Sequence, residues 1–161
     1  NIASHVSGQS AKGLWMPNRI DFYMDSHGKN SVLEYLAELA NRRDKQSRVK
    51  HEKIAQQLDY LSQFGLAVGM PTLRPILGKG MKDLWELRPL KDRVLFVVRH
   101  EDHFVVLHHF QKGANLDLEV ARAMREYRQY LADNPDETGE PSNTSKGEQS
   151  NNTDEQTEVE T

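Results

Sequence analysis

The chain has 161 residues, no cysteine, 37 % hydrophobic residues and a formal net charge of −3. Such a chain can build one modest core; disulfides, thiolate nucleophiles and cysteine-based zinc sites are excluded, and no apolar run approaches the roughly 20 residues that span a bilayer. The net charge averages two unlike parts: from Asp133 onward nine acidic residues accompany one lysine, whereas residues 1–132 carry 20 basic against 15 acidic residues.

Residues 1–17 (NIASHVSGQSAKGLWMP) show no pattern and no secretory signal, so they are expected to be an extension outside the fold, in a cytoplasmic protein with no membrane segment. The expected domain covers 18–132. It opens with RIDFYM, where Ile20, Phe22 and Met24 alternate as in a half-buried strand. After the turn DSHGK, Ser31 and Glu34 have capping-box spacing ahead of Val32, Leu33, Leu36 and Leu39, which predicts a short helix. A longer helix is predicted from Asp44 to Phe64, with Ile54, Leu58, Leu61 and Phe64 on one face, many cations in its first half and Gly65 as its stop. The two helices should form a hairpin packed on one face of a sheet.

GLAVGMPTLRPILGKG reads as a loop marked by glycine and proline. Three strands follow, Leu84 to Arg88, Val94 to Arg99 and His103 to Phe110, joined by connections short enough for antiparallel hairpins. The continuous apolar run VLFVV suits a central strand covered on both faces, either by this chain or by a partner on one side. Val120, Met124, Tyr127 and Leu131 predict a last helix, capped by Asn115 or Asp117. The order β-α-α-β-β-β-α implies an α+β fold with a mainly antiparallel sheet. The remainder, 133–161, holds the single aliphatic Val159 and is expected to be a disordered acidic tail.

Cations punctuate the strand region: Lys79 and Lys82 in the loop before it, Arg88 and Arg93 at strand borders, Arg99 at the end of the central strand and Lys112 after the last. Arginine's planar fork binds two phosphate oxygens and stays charged, so this spacing predicts a polyanion site. The plain alternative for Arg88 and Arg93 is ion pairing with Glu86, Asp92 or Asp102. His108 and His109, adjacent on one strand, should point to opposite faces and therefore share no metal. Each suits acid–base chemistry near neutrality or a structural hydrogen bond. His100 and His103 are expected to face solvent. Tyr127 lies on the apolar stripe and Tyr130 off it, so Tyr130 is the freer ring.

The segments RIDFYMDSHGKNSVLEYLAEL, LWELRP, RVLFVVRH and VVLHHFQK, in this order and spacing, resemble the phage-derived, HigB-like branch of the RelE/ParE toxins of type II toxin–antitoxin systems, over about residues 18–131. That resemblance implies a RelE-like fold, a small curved sheet with two N-terminal helices and a C-terminal helix. It also implies ribosome-dependent mRNA cleavage without metal or other cofactor, inhibiting translation. The implied partners are mRNA, the ribosome and a cognate helix-turn-helix antitoxin. Arg93 falls where the pattern carries a catalytic arginine; Arg88 matches the arginine of LWELR, Lys112 the first lysine of the family's Phe-x-Lys-Lys ending, and His108 a common histidine. These four are the candidate catalytic residues. Lys79, Lys82, Arg99, His109 and Tyr130 are the candidate RNA-binding residues. The related alternatives are a ParE-like gyrase poison without catalysis and an inactive antitoxin-binding module. After Lys112 the sequence departs from the pattern, with GANLDL in place of a second lysine, and His109 stands where glycine is usual.

Overall fold

The computed structural model describes residues 18–136; the expected N-terminal extension and all but the first residues of the expected tail lie outside them. The chain runs β1 (Arg19–Phe22), α1 (Ser31–Asn41), α2 (Lys45–Phe64), a single 3-10 turn (Gly65–Val68), β2 (Leu73–Pro75), β3 (Leu84–Leu87), β4 (Asp92–His100), β5 (His103–Gln111) and α3 (Leu116–Asp133). The five strands form one sheet in the order β1-β5-β4-β3-β2. β1 lies parallel to β5, and every other pairing is antiparallel. The protein is α+β, as its element order predicts.

β2 is the element sequence reasoning missed. It has three residues, ends in Pro75 and lies at the sheet edge, where proline's missing N–H costs no ladder bond; three residues also carry no readable alternation.

Both faces of the sheet are covered by this chain. Alternation along β4 sends Val94 and Phe96 to one side, where they meet Val32, Leu36 and Leu39 of α1 and Ile54, Leu58 and Leu61 of α2. Leu95 and Val97 go to the other side and pack with Val120, Ala123 and Tyr130 of α3. The central apolar run is thus a strand buried on both faces, with no partner needed to cover either.

Local chemistry fixes the helix ends with one correction. Asn30, not Ser31, caps α1: its Oδ1 accepts from the Val32 amide at 2.8 Å, while its Nδ2 donates to Leu107 O at 2.9 Å. Ser31 is the first helical residue, and its hydroxyl accepts from the His109 amide at 2.9 Å. Asp44 caps α2 through Ser47, and Asn115 caps α3. Gly65 ends α2 with φ +57°. There a Cβ would lie 3.2 Å from the Asn18 side chain. Phe64, expected on the buried stripe, is 57 % exposed in this last turn.

The buried line of α3 also differs from expectation. Val120, Ala123, Glu126 and Tyr130 face the sheet, whereas Met124 and Tyr127 are only half-buried and Leu131 is exposed. The helix is rotated because two polar ties, described below, draw Glu126 and Tyr130 inward. It runs through Asp133, one residue past the expected domain end, and Asn134 caps it.

Candidate nucleic-acid interface

The β3–β4 hairpin gathers the cations. Glu86 is two residues from Leu84 and Arg93 two from Leu95, so both project to the face that carries α3. Arg74 pairs with Glu86 across β2 and β3, and Arg93 pairs with Phe110 across β4 and β5. The result is three arginines, Arg74, Arg88 and Arg93, around one buried carboxylate. Burial pushes the Glu86 carboxyl up, and the pull of Arg93, Arg88 and Arg74 offsets only part of that rise. Burial lowers the Arg93 guanidinium below its ordinary value, and neighbouring Arg88 adds to the effect.

The two leading arginine candidates are held differently. Arg93 is 6 % exposed, and its Nη1 donates to Asp92 O at 2.7 Å and Leu90 O at 3.0 Å, which binds it to its own turn. Arg88 is half-buried, its Nε lying 3.5 Å from Glu86 Oε1. The ion-pair alternative is therefore realised for Arg88 and not for Arg93. That Nε is itself buried and has no hydrogen-bond partner among the described residues. A buried donor without a hydrogen bond costs about 1–3 kcal/mol, a cost offset here in part by the Glu86 carboxylate 3.5 Å away. Lys112, whose amide donates to Lys91 O at 2.8 Å, is exposed at the same end of the sheet.

His108 is not positioned as an accessible acid or base. The register places Val94 opposite His109 and Phe96 opposite Val106, so Leu107 and His108 together face Leu95 in a β-bulge. The bulge turns His108 toward α3, where it is fully buried. Its Nε2 lies 2.7 Å from Glu119 Oε2, and its Nδ1 meets Glu126 Oε1. Both ring nitrogens are thus engaged by side chains of α3. With α3 in place, no substrate reaches this ring.

His109 points to the opposite face, as alternation predicts, and belongs to a group that sequence reasoning missed. Its Nε2 lies 2.9 Å from Asp92 Oδ1, and the Tyr35 hydroxyl donates to Asp92 Oδ2 at 3.3 Å. The Tyr35 ring stacks on the imidazole with centroids 4.0 Å apart. Burial and the adjacent Asp92 push the Tyr35 hydroxyl up to about 12. Tyr35 and Asp92 are far apart in sequence, and no spacing signal joins them.

The other candidates do not converge on the hairpin. Arg99 is the extra residue of a second bulge, about 20 Å along β4 from Arg93 at ~3.3 Å per residue. Its Nη2 donates to Asn134 O at 2.6 Å and Asp136 Oδ1 at 2.8 Å, and its guanidinium lies 5.3 Å from the Tyr130 ring centroid. Tyr130, expected to be free, is 3 % exposed and donates to Asp21 Oδ2 at 2.8 Å. His103, expected in solvent, is buried with its Nε2 2.9 Å from the same Asp21 oxygen. This far end is a closed polar network that ties β1, β5 and α3 together. Lys79 pairs with Asp117 at 2.7 Å, and Lys82 is exposed. Among the described residues, no group of three or more His, Asp or Glu side chains is arranged to hold a metal ion, and no helix is long and apolar enough to cross a membrane.

Fold and site together define a small α+β protein with an arginine cluster at one end of a sheet covered on both faces. Residues 41–127, more than half of the chain, match the family described as "Phage derived protein Gp49-like (DUF891)", and the chain belongs to that family. None of the curated proteins matches it in sequence. Among solved structures, the YoeB dimer from Staphylococcus aureus is similar at 14 % identity and a TM-score of 0.42, covering 62 % of this chain and 99 % of that one. In the archaeal RelE–RelB complex from Pyrococcus horikoshii OT3, the matched chain gives 17 % identity and a TM-score of 0.42, with 62 % of this chain and 100 % of that one covered. The YoeB–YefM complex from Staphylococcus aureus gives 14 %, a TM-score of 0.40, and coverage of 57 % and 93 %.

Proposed function

We propose that this protein is the toxin of a type II toxin–antitoxin pair, a metal-independent endoribonuclease that cleaves mRNA on the ribosome and is silenced by a cognate helix-turn-helix antitoxin. The observation that carries this reading is the cluster of three arginines that share one buried carboxylate, with the Arg88 side chain partly open to solvent. Membership in the Gp49-like family and the HigB-like order of the four sequence segments support it.

In such a reaction the ribose 2′-oxygen attacks the adjacent phosphorus, the 5′-oxygen leaves, and negative charge grows on the phosphorane oxygens. In this reading Arg88 meets that charge, and Lys112, just after β5, adds to the field. Arg93 acts as a positioning residue: bonded to Leu90 O and Asp92 O, it fixes the turn from which Arg88 projects.

Inducible expression tests the reading. Translation should stop, with messages cut at codons in the ribosomal A site, and Arg88→Ala should slow cleavage by about 10²-fold, the usual loss when one charge-stabilising donor is removed. Arg93→Lys keeps the charge but loses the planar fork, so it should cut activity while the protein stays folded. Growth arrest with intact message and damaged DNA would instead identify a gyrase poison. A folded protein that leaves growth and message untouched would identify an inactive antitoxin-binding module.

A further inference from the structure

The first half of α2 carries charge that its own fold does not use. Residues 42–53, RRDKQSRVKHEK, contain six lysines and arginines against two carboxylates. Asp44 is engaged as the helix cap, its carboxylate accepting from the Ser47 amide and hydroxyl at 2.8 Å each. Arg43, Lys45, Arg48, Lys50 and Lys53 have no carboxylate within ion-pair distance among the described residues. The first turn of α2 holds no acidic residue, so Lys45 and Arg48 stand at the positive end of the helix dipole, where cations are unfavourable. Stability alone would not select them.

Topology sets this helix end toward the same pole as the arginine cluster, on the opposite face of the sheet. The Tyr35 hydroxyl bonds Asp92, which places the middle of α1 at the start of β4. The far end of α2 is fixed elsewhere: Asn18 Nδ2 donates to Ser62 O at 3.1 Å, next to Arg19, whose amide donates to Asp102 O. The start of α2 therefore lies at the pole of the β3–β4 turn, with Lys91, and not at the pole of Arg99.

We propose that the N-terminal half of α2 is a second, non-catalytic contact surface that binds the phosphate backbone of duplex RNA. Its composition selects this occupant. A protein partner needs an apolar or aromatic anchor at the centre of its interface, and the only exposed large apolar side chain in this half of α2 is Val49. A single strand needs aromatic stacking platforms, and residues 42–53 contain no Phe, Tyr or Trp. A surface of long, unpaired cations fits a paired backbone, where counterion release drives binding. The choice of RNA over DNA rests on the proposed ribonuclease reading.

The test is binding of a short RNA hairpin of arbitrary sequence to the full chain across a salt series. Lys45, Arg48 and Lys50 are replaced together by Gln and compared with Arg125→Gln/Arg128→Gln on α3. The α2 variant should lower the magnitude of the log K against log salt slope by about 2 to 3, near one unit for each phosphate that is no longer neutralised, and the α3 variant should leave it unchanged. The thermal midpoint of the α2 variant should stay level or rise, because cations leave the positive end of the dipole. An unchanged slope, an equal loss in the α3 variant, or an effect confined to duplex DNA would overturn the proposal. So would unaltered RNA binding combined with lost capture of an acidic protein. Message cleavage by the parent, measured in parallel, separates the two readings: a parent that leaves message intact defeats the ribonuclease reading while the slope result stands, and cleavage that survives Arg88→Ala removes only the role given to Arg88.

Discussion

Replacing His108 by Leu should detach α3 from the sheet. The side chain is fully buried and bridges Glu119 and Glu126, so the substitution removes two hydrogen bonds to carboxylates, each worth about 1.5–3 kcal/mol. The two glutamates are not equally exposed to that loss. Glu119 has a side chain 20 % exposed and can turn to water, whereas Glu126 is 10 % exposed and keeps only Arg122 Nε at 3.4 Å. Most of the cost therefore falls on one stranded carboxylate, and removing one partner of a buried pair typically costs about 3–5 kcal/mol. Allowing for the remaining Arg122 contact, we expect about 3 kcal/mol in urea denaturation, with amide protection lost first in α3 while β4 stays protected. Replacing His108, Glu119 and Glu126 together by leucine should recover most of the loss, because no charge is then left buried without a partner. A single variant within about 1 kcal/mol of the parent, or a triple variant as unstable as the single, would refute the reasoning.

Two further outcomes concern the rest of the fold. Burial works to raise the Asp21 carboxyl, but hydrogen bonds from Tyr130 and His103, with Arg19 nearby, hold it below the ordinary aspartate value. A lowered carboxyl contributes stability that is present above the unfolded value and lost as pH falls through the folded one. Asp21→Asn should therefore be less stable than the parent by a constant amount above about pH 5, and acid melts should show the gap closing below about pH 4. Leu90 adopts φ +58° in the β3–β4 turn and is 52 % exposed. The left-handed conformation costs leucine about 1–2 kcal/mol and glycine's extra entropy about 0.5–1 kcal/mol, so Leu90→Gly should raise stability by about 0.5–1 kcal/mol in thermal melts.

The elements legible in the sequence were those with a local signal. Period and length marked α1, α2 and β4, and Gly65 marked the end of α2. What failed depended on long-range chemistry. The apolar stripe read for α3 runs through Tyr127 and Leu131, yet the helix turns by a fraction of a residue so that Glu126 meets His108 and Tyr130 meets Asp21, and neither partner is visible from α3's own sequence. The bulge that sends His108 and Leu107 to the same side is likewise a property of paired strands. In the candidate site, alternation correctly sent His108 and His109 to opposite faces. It could not reveal that one would be sealed between glutamates and the other stacked on Tyr35.

Local rules are broken at several points of this molecule: Asp83 has φ +58° beside Val98, and Gln57 Oε1 is buried without a hydrogen bond among the described residues, but three departures lie toward the hairpin end. Around the Arg99 pole, polar groups are matched: Asp21 meets Tyr130 and His103, and Arg99 meets Asn134 and Asp136. At the hairpin pole, Arg88 Nε is buried without a hydrogen bond although Glu86 lies 3.5 Å away, Leu90 stands in the left-handed region, and α2 begins with cations that oppose its dipole. Each feature has a cost to folding, and their causes are independent: a missing hydrogen bond, a backbone dihedral angle and a charge distribution. Three independent departures toward one end of the sheet are the pattern expected where something other than stability shapes a site. A polyanion reaching this end would meet the excess positive charge around Glu86 on one face and that of the start of α2 on the other. Leu90 then remains as the strained turn that holds Arg93, and through it the cluster, in position.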